Sequence, residues 1–146
     1  MIMRKSEWII GLVLLLAAAA LPLAGHWARR DAGRSCAYDG VAIDPIYRVR
    51  VVDHRGGDHE FCCIRCAEFW QEGQKAAPRA IYVTGEADGK EVDAEAAYFV
   101  RSSVVTTPTT GNRIHAFRNR AEAERHAGAV GGTILSGPER PFAGRS

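Results

Sequence analysis

Residues 47–70, YRVRVVDHRGGDHEFCCIRCAEFW, decide the fold predicted for this chain. Apolar side chains alternate with arginines over Tyr47–Val52, which is the period of a half-buried β-strand. His54–Asp58 contains two adjacent glycines and predicts a turn, and His59–Cys62 predicts the returning strand of a hairpin. From Cys63 the apolar spacing changes to three and four residues, which is the period of a helix. Two antiparallel strands followed by a helix are therefore expected.

The same order of elements recurs further along the chain. Gly73 predicts the end of the first helix, and Asn119 with Glu122 forms the capping box of a second helix that ends at Gly131. The remaining predicted strands are Arg79–Glu86, Ala97–Ser103, Arg113–Phe117 and Thr133–Leu135. The sequence thus predicts an α+β fold of two tandem β-β-α-β units, residues 36–87 and 88–136, with a loose tail at 137–146.

The segment ahead of these units predicts attachment to a membrane. Ile9–Gly25 has no charged residue, and a span of this length can just cross a bilayer. Trp8 and Trp27 flank it, where indole rings favour the headgroup region. We expect residues 1–27 to be a single-pass membrane anchor, with a cleaved signal segment as the alternative, and residues 28–35 to be a linker. The basic start before the apolar run is typical of export, so we expect the body in the periplasm or extracytoplasmic space.

The charge of the chain argues against a nucleic-acid partner. The net charge is +2 over 146 residues, and residues 1–35 alone account for +3. The body, residues 36–146, therefore carries −1 and lacks the basic surface that binds phosphate backbones. Because the sequence also contains no phosphate-binding loop and no His-Glu-x-x-His motif, we do not predict an enzyme.

All four cysteines lie in one short part of the first unit. Cys62 and Cys66 are four residues apart, so their sulfur atoms share one face of the first helical turn. Cys36 lies in CAYDG, where Asp39-Gly40 predicts a tight turn. Three thiolates suit Cu(I), or Zn(II) with Asp39 as the fourth ligand. The predicted ligands are therefore Cys36, Cys62 and Cys66, with Cys63 and Asp39 as further candidates.

Two other uses of these cysteines stay open. An even number of cysteines outside the cytoplasm is typical of disulfides, with Cys36 bonded to a helix cysteine, and this would give a disulfide- or zinc-stabilised interaction module. Cys63-Ile64-Arg65-Cys66 also has the C-x-x-C spacing of a thiol–disulfide oxidoreductase, although a hairpin precedes it instead of a β-α-β unit.

CAYDG followed by FCCIRCAEFW resembles the metal-binding signature of TRASH/YHS-type domains. Over residues 36–135 the chain resembles the NosL family, the accessory proteins of nitrous oxide reductase. The segments that carry this resemblance are CAYDGVAI (36–43), VDAEAAYFVRS (92–102), HAF (115–117) and AEAERHAGAVGGTIL (121–135). The resemblance implies two β-β-α-β units and an exported, membrane-attached protein that binds Cu(I) and passes it to a copper enzyme.

The resemblance also implies a metal site near His115, so this residue is a further candidate ligand. The chain departs from the family at several ligand positions. Asp39 stands where the family has a second cysteine, Val41 stands where it has methionine, and the loop Pro108–Gly111 contains no methionine. We therefore expect a site shifted toward thiolates, or one replaced by disulfides, in a protein that delivers copper to a copper-requiring enzyme or its assembly factors.

Overall fold

A computed structural model of the protein describes residues 34–144, and the predicted α+β class is confirmed. Two antiparallel sheets carry one helix each within this range. The elements of the first sheet and its helix are β1 (Val49–Val52), β2 (Asp58–Phe61), α1 (Ile64–Glu72), β3 (Ala80–Thr84) and β4 (Glu91–Asp93). Those of the second are β5 (Tyr98–Arg101), β6 (Ile114–Phe117), α2 (Arg120–Val130) and β7 (Thr133–Ile134).

The first sheet has the strand order β2-β1-β3-β4. Val49 of β1 lies opposite Phe61 and Val83, and all three side chains are at most 1% exposed. Arg50, the next residue, belongs to the other face, where it pairs with Glu91 at 3.1 Å. The alternation that predicted the strand is therefore the alternation between the core and the outer face.

The second sheet has the strand order β6-β5-β7, with α2 between β6 and β7 in the sequence. Asn119 is the N-cap of α2, and its side-chain oxygen accepts a hydrogen bond from the amide of Glu122 at 2.9 Å. Gly131 ends the helix at φ 65°, in the left-handed region that favours glycine. Both ends of this helix are where the sequence predicted them.

Two segments differ from the sequence prediction. Glu91–Asp93 lies beyond the predicted boundary at residue 87 and yet pairs with β3, which gives the first sheet a fourth strand. Part of the segment predicted as a loose tail, residues 140–142, is docked on the body. The Arg140 guanidinium donates to three carbonyl oxygens of residues 94–97, and Phe142 is 7% exposed. The strand Glu91–Asp93 is too short to show a periodic pattern. The tail is held by two side chains, Arg140 and Phe142, which do not form a periodic pattern either.

The predicted anchor, residues 1–27, lies outside the described residues, and so does the predicted linker except for Arg34 and Ser35. Within the described range, neither helix combines the length and the apolar content that crossing a bilayer requires.

Candidate metal centre

The first part of the candidate site is a tight turn that begins at Cys36. The Cys36 amide donates to the Val41 carbonyl at 2.8 Å, and the Gly40 amide donates to the Cys36 carbonyl at 2.9 Å. Gly40 has φ 74°, a conformation that glycine adopts without the strain a side chain would add. The Ala37 amide donates to the Glu60 carbonyl at 2.8 Å, so the turn is fixed against β2.

The second part is the junction between β2 and α1. Cys62 follows the last residue of β2, Cys63 is the N-cap of α1, and Cys66 lies in the first turn of the helix. The sulfur atoms of Cys62 and Cys66 are 3.5 Å apart and are not bonded. The two sulfur atoms are close, but Cys62 precedes the extended N-cap Cys63 and does not lie on the helical turn on which the sequence prediction placed it.

Four side chains from these two parts form the metal-centre cluster, which we define as Cys36, Asp39, Cys62 and Cys66. Their ligand atoms all lie within 4.8 Å of one another. The Oδ2 atom of Asp39 is 3.2 Å from the Cys66 sulfur and 3.8 Å from the Cys62 sulfur. Two sulfur atoms bound to one tetrahedral Zn(II) at about 2.3 Å are about 3.8 Å apart. Small side-chain adjustments would therefore let these atoms surround a single ion.

The cluster is buried on its sulfur side and open at Asp39. The three cysteines are at most 3% exposed, whereas Asp39 is an exposed residue. Burial is the main reason that the pKa of the Cys62 and Cys66 thiols lies above the ordinary cysteine value. Burial acts in the same direction on Asp39, but hydrogen bonds from the Cys36 and Cys66 thiols and the Val41 amide outweigh it, so the pKa of Asp39 is lowered. The metal-free site thus holds thiol protons beside a carboxylate, and an entering metal ion must displace those protons.

Cys63 lies beside the cluster and not within it. Its sulfur is 4.0 Å from the Cys62 sulfur and 3.3 Å from the hydroxyl of Thr110. The Thr107 hydroxyl donates to the Cys62 carbonyl at 3.5 Å, so the loop between β5 and β6 packs against the junction. Sequence reasoning did not single out Thr107 or Thr110. For Thr110 a signal was present, because this residue lies in Pro108–Gly111, where the family resemblance implies a methionine ligand; Thr107 lies outside that loop.

His115 is not in the metal-centre cluster either. It is 1% exposed, its Nδ1 is 2.9 Å from the Glu86 carboxylate, and its Nε2 is 3.0 Å from the Ser102 hydroxyl. The ring also packs against His126, with centroids 4.4 Å apart and ring planes tilted by 46°. Both ring nitrogens therefore have hydrogen-bond partners. Because His115 is buried, a substrate could not reach the hydrogen-bonded side chains of Ser102, His115 and Glu86. Neither Glu86 nor Ser102 was singled out from the sequence, since no local pattern links them to His115.

No protein-family model and no curated protein matches the sequence. Among solved structures, the copper chaperone NosL from Shewanella denitrificans is similar in fold. The TM-score is 0.58 at 20% identity, and the alignment covers 70% of this chain and 85% of that one. At this identity the likeness concerns the fold. The chain therefore shares the fold of a copper chaperone and brings three thiols and a carboxylate together at one junction.

Proposed function

We propose that this chain is a Cu(I)-binding protein of the NosL type, and not an enzyme, that hands the ion to a copper-requiring enzyme or to one of its assembly factors. The metal-centre cluster is the observation that carries the proposal. Soft thiolate ligands select Cu(I), and three thiols lie in the cluster. The copper chaperone with a similar fold supports the same metal.

Asp39 gives the site a way to release its ion. A carboxylate is a hard ligand that suits Cu(I) less well than a thiolate does. Asp39 is also the exposed member of the cluster. A thiolate or thioether of the acceptor would therefore displace Asp39 first and then exchange with the buried sulfur atoms one at a time.

We further propose that residues 1–27 anchor the body at the membrane, with residues 34–144 in the periplasm or extracytoplasmic space. The support is the uncharged run Ile9–Gly25 behind a short basic start. Anchoring confines the donor to the membrane surface, which would raise its effective concentration for an acceptor held at the same membrane.

A Cu(I) titration of the reduced full chain against a competing chelator tests the proposed function. The test variant replaces Cys36, Cys62 and Cys66 by serine, and the matched control is Cys63→Ser, which removes a thiol outside the cluster. We expect the triple variant to lose competitive binding and the control to keep it. Equal affinity of the wild type and the triple variant would contradict the proposal.

The cluster also supports a second function, a zinc-stabilised interaction module. Three cysteines and one aspartate supply four donors, which is the complete tetrahedral set of a structural zinc site. A structural site predicts unfolding when zinc is removed, because the metal then contributes to folding. Thermal unfolding with a zinc chelator, beside the Cu(I) titration, separates the two functions.

The geometry does not favour the third hypothesis, in which the chain is a thiol–disulfide oxidoreductase. Catalytic redox cysteines have a lowered thiol pKa and partial exposure. Both cysteines of the C-x-x-C motif are instead at most 1% exposed, so neither sulfur atom is open to the disulfide of a protein substrate.

A further inference from the structure

The sulfur atoms of Cys62 and Cys66 in the metal-centre cluster are 3.5 Å apart, and both residues carry free thiols. A disulfide has an S–S distance of about 2.0 Å, so the two atoms must approach by about 1.5 Å. Rotation of the side chains supplies such a movement, since a change of rotamer displaces a Cβ substituent by more than this distance.

The neighbouring pair, Cys62 and Cys63, is a poor alternative. Their sulfur atoms are 4.0 Å apart. Consecutive Cα atoms are about 3.8 Å apart, which is below the range of about 4.4–6.8 Å that disulfides span. Cys63 also contacts Thr110 at 3.3 Å, on the side of the loop between β5 and β6.

We propose that Cys62 and Cys66 form a disulfide when the cluster holds no metal ion, and that this bond switches metal binding off. The effect on metal binding rests on the proposed function, whereas the bond itself does not. Of the cluster, only Cys36 and Asp39 remain as donors in the oxidised protein. Two donors, one of them a carboxylate, hold a soft ion far less well than three thiolates.

The reaction is an exchange with a small-molecule disulfide. The thiolate of one cysteine attacks the reagent disulfide, forms a mixed disulfide and releases one reagent thiol. The sulfur of the second cysteine then attacks the protein sulfur of that mixed disulfide and releases the second reagent thiol. Two electrons pass from the cysteine pair to the reagent, and the two cysteine protons end on the released thiols. A dithiol reductant reverses both steps.

The proposed state links metal binding to the redox conditions around the body. Disulfides form and persist outside the cytoplasm. An empty cluster would therefore close, and loading would require a reductant of the dithiol class. A bound ion would protect the pair, because both sulfur atoms would be ligands.

Peptide mapping of the metal-free full chain tests the bond. After treatment with oxidised glutathione, the remaining thiols are blocked and the chain is cleaved with trypsin, which cuts after Arg65 and so separates Cys66 from Cys62 and Cys63. We expect two blocked thiols and a bridge that joins the two peptides. The bridge should persist in Cys63→Ser and in Cys36→Ser and should be lost in Cys62→Ser.

Four free thiols after oxidation, or a bridge that includes Cys36 or Cys63, would overturn the proposed bond. The wild-type digest detects a bridge to Cys36 directly, and fragmentation of the bridged peptide between Cys62 and Cys63 locates the blocked thiol, so the outcome does not depend on whether a variant folds.

Cu(I) titration of the same reduced and oxidised samples tests the switch. We expect binding in the oxidised protein to be at least about 100-fold weaker, and to return after treatment with a dithiol. Equal Cu(I) affinity in the two samples would overturn the switch. If the reduced protein binds no Cu(I), the proposed function fails, and the mapped bond shows separately whether the disulfide forms.

Discussion

The two halves of the body use the same helix positions for different chemistry. In each half a strand ends in phenylalanine, and a helix begins two residues later with its N-cap, Cys63 in α1 and Asn119 in α2. Three residues after the N-cap stand Cys66 and Glu122. Asn119 accepts a hydrogen bond from the Glu122 amide, whereas Cys63 makes no side-chain capping bond.

The comparison shows that the helix start that is capped in α2 forms part of the candidate metal site in α1. The N-cap and the residue three positions later form the capping hydrogen bond of α2, but both positions hold thiols in α1. Helix α1 therefore lacks a stabilising contact of about 1 kcal/mol. The same position of α1 places Cys66 beside Cys62 and beside the turn that contains Cys36 and Asp39. The uncapped amides at the start of α1 also place partial positive charge near the sulfur atoms, which favours thiolates once an ion displaces their protons.

The largest effect is expected from a change in the first half, Cys66→Ser. Cys66 is fully buried, and its sulfur lies 3.2 Å from the Asp39 carboxylate. We expect Cu(I) affinity to fall by more than about 100-fold, because even the outer partners of metal ligands are worth about 10–100-fold. Competitive Cu(I) titration measures the change. Glu122→Gln, at the matching position of α2, should leave the affinity unchanged, and a loss there would contradict the division between the halves.

The second prediction concerns the pH dependence of the free energy of unfolding, which we expect to have opposite directions in the two halves. Burial raises the pKa of the Cys62 and Cys66 thiols above the ordinary value of 9.0. Above pH 9 the unfolded chain therefore loses protons that the folded chain keeps, so the metal-free protein loses stability as the pH rises. We expect the free energy of unfolding to fall by about 2 kcal/mol between pH 8 and pH 10.

In the second half, we expect the dependence of stability on pH to have the opposite direction. Burial, followed by the nearby charge of His115, lowers the pKa of His126 below 6.5. Below pH 6.5 the unfolded chain therefore binds a proton that the folded chain does not, and stability falls as the pH decreases. Denaturant unfolding of the wild type, Cys66→Ser and His126→Gln across pH 5–10 measures both effects. Loss of the alkaline effect in His126→Gln would contradict the assignment.

The third prediction tests whether His115 belongs to the metal site. His115→Ala leaves the carboxylate of Glu86 and the hydroxyl of Ser102 without their imidazole partner. Buried polar groups that lose a partner cost about 1–3 kcal/mol. We expect the free energy of unfolding to fall by about 2 kcal/mol while Cu(I) affinity changes by less than about threefold. A loss of affinity as large as that of Cys66→Ser would instead make His115 a ligand.

The smallest expected effect compares the two N-caps directly. Asn119→Ala removes the side-chain acceptor of the Glu122 amide and should cost about 1 kcal/mol. Cys63→Ser places a hydroxyl acceptor at the N-cap of α1, so we expect this variant to keep or gain stability. Denaturant unfolding of the metal-free proteins measures both changes. An equal loss in the two variants would show that Cys63 already stabilises its helix.

Much of the fold could be predicted from local patterns. The alternation in β1, the helical spacing after Cys63, the cap at Asn119 and the left-handed glycine at Gly131 are each set by residues within one or two turns of chain. β4 could not be predicted, because three residues give no period. The docking of Arg140 on the carbonyl groups of residues 94–97 joins segments more than 40 residues apart.

The candidate site divides in the same way. The sequence by itself determined that Cys62 and Cys66 lie close together at the start of a helix and that Cys36 and Asp39 lie in one turn, because both arrangements follow from short-range backbone geometry. Only the tertiary structure decided that this turn packs on β2, with Asp39 3.2 Å from Cys66. The structure also decided that Cys63 contacts Thr110 and that His115 pairs with Glu86 and Ser102. These contacts depend on how separate segments pack, and no local pattern in a single sequence records that.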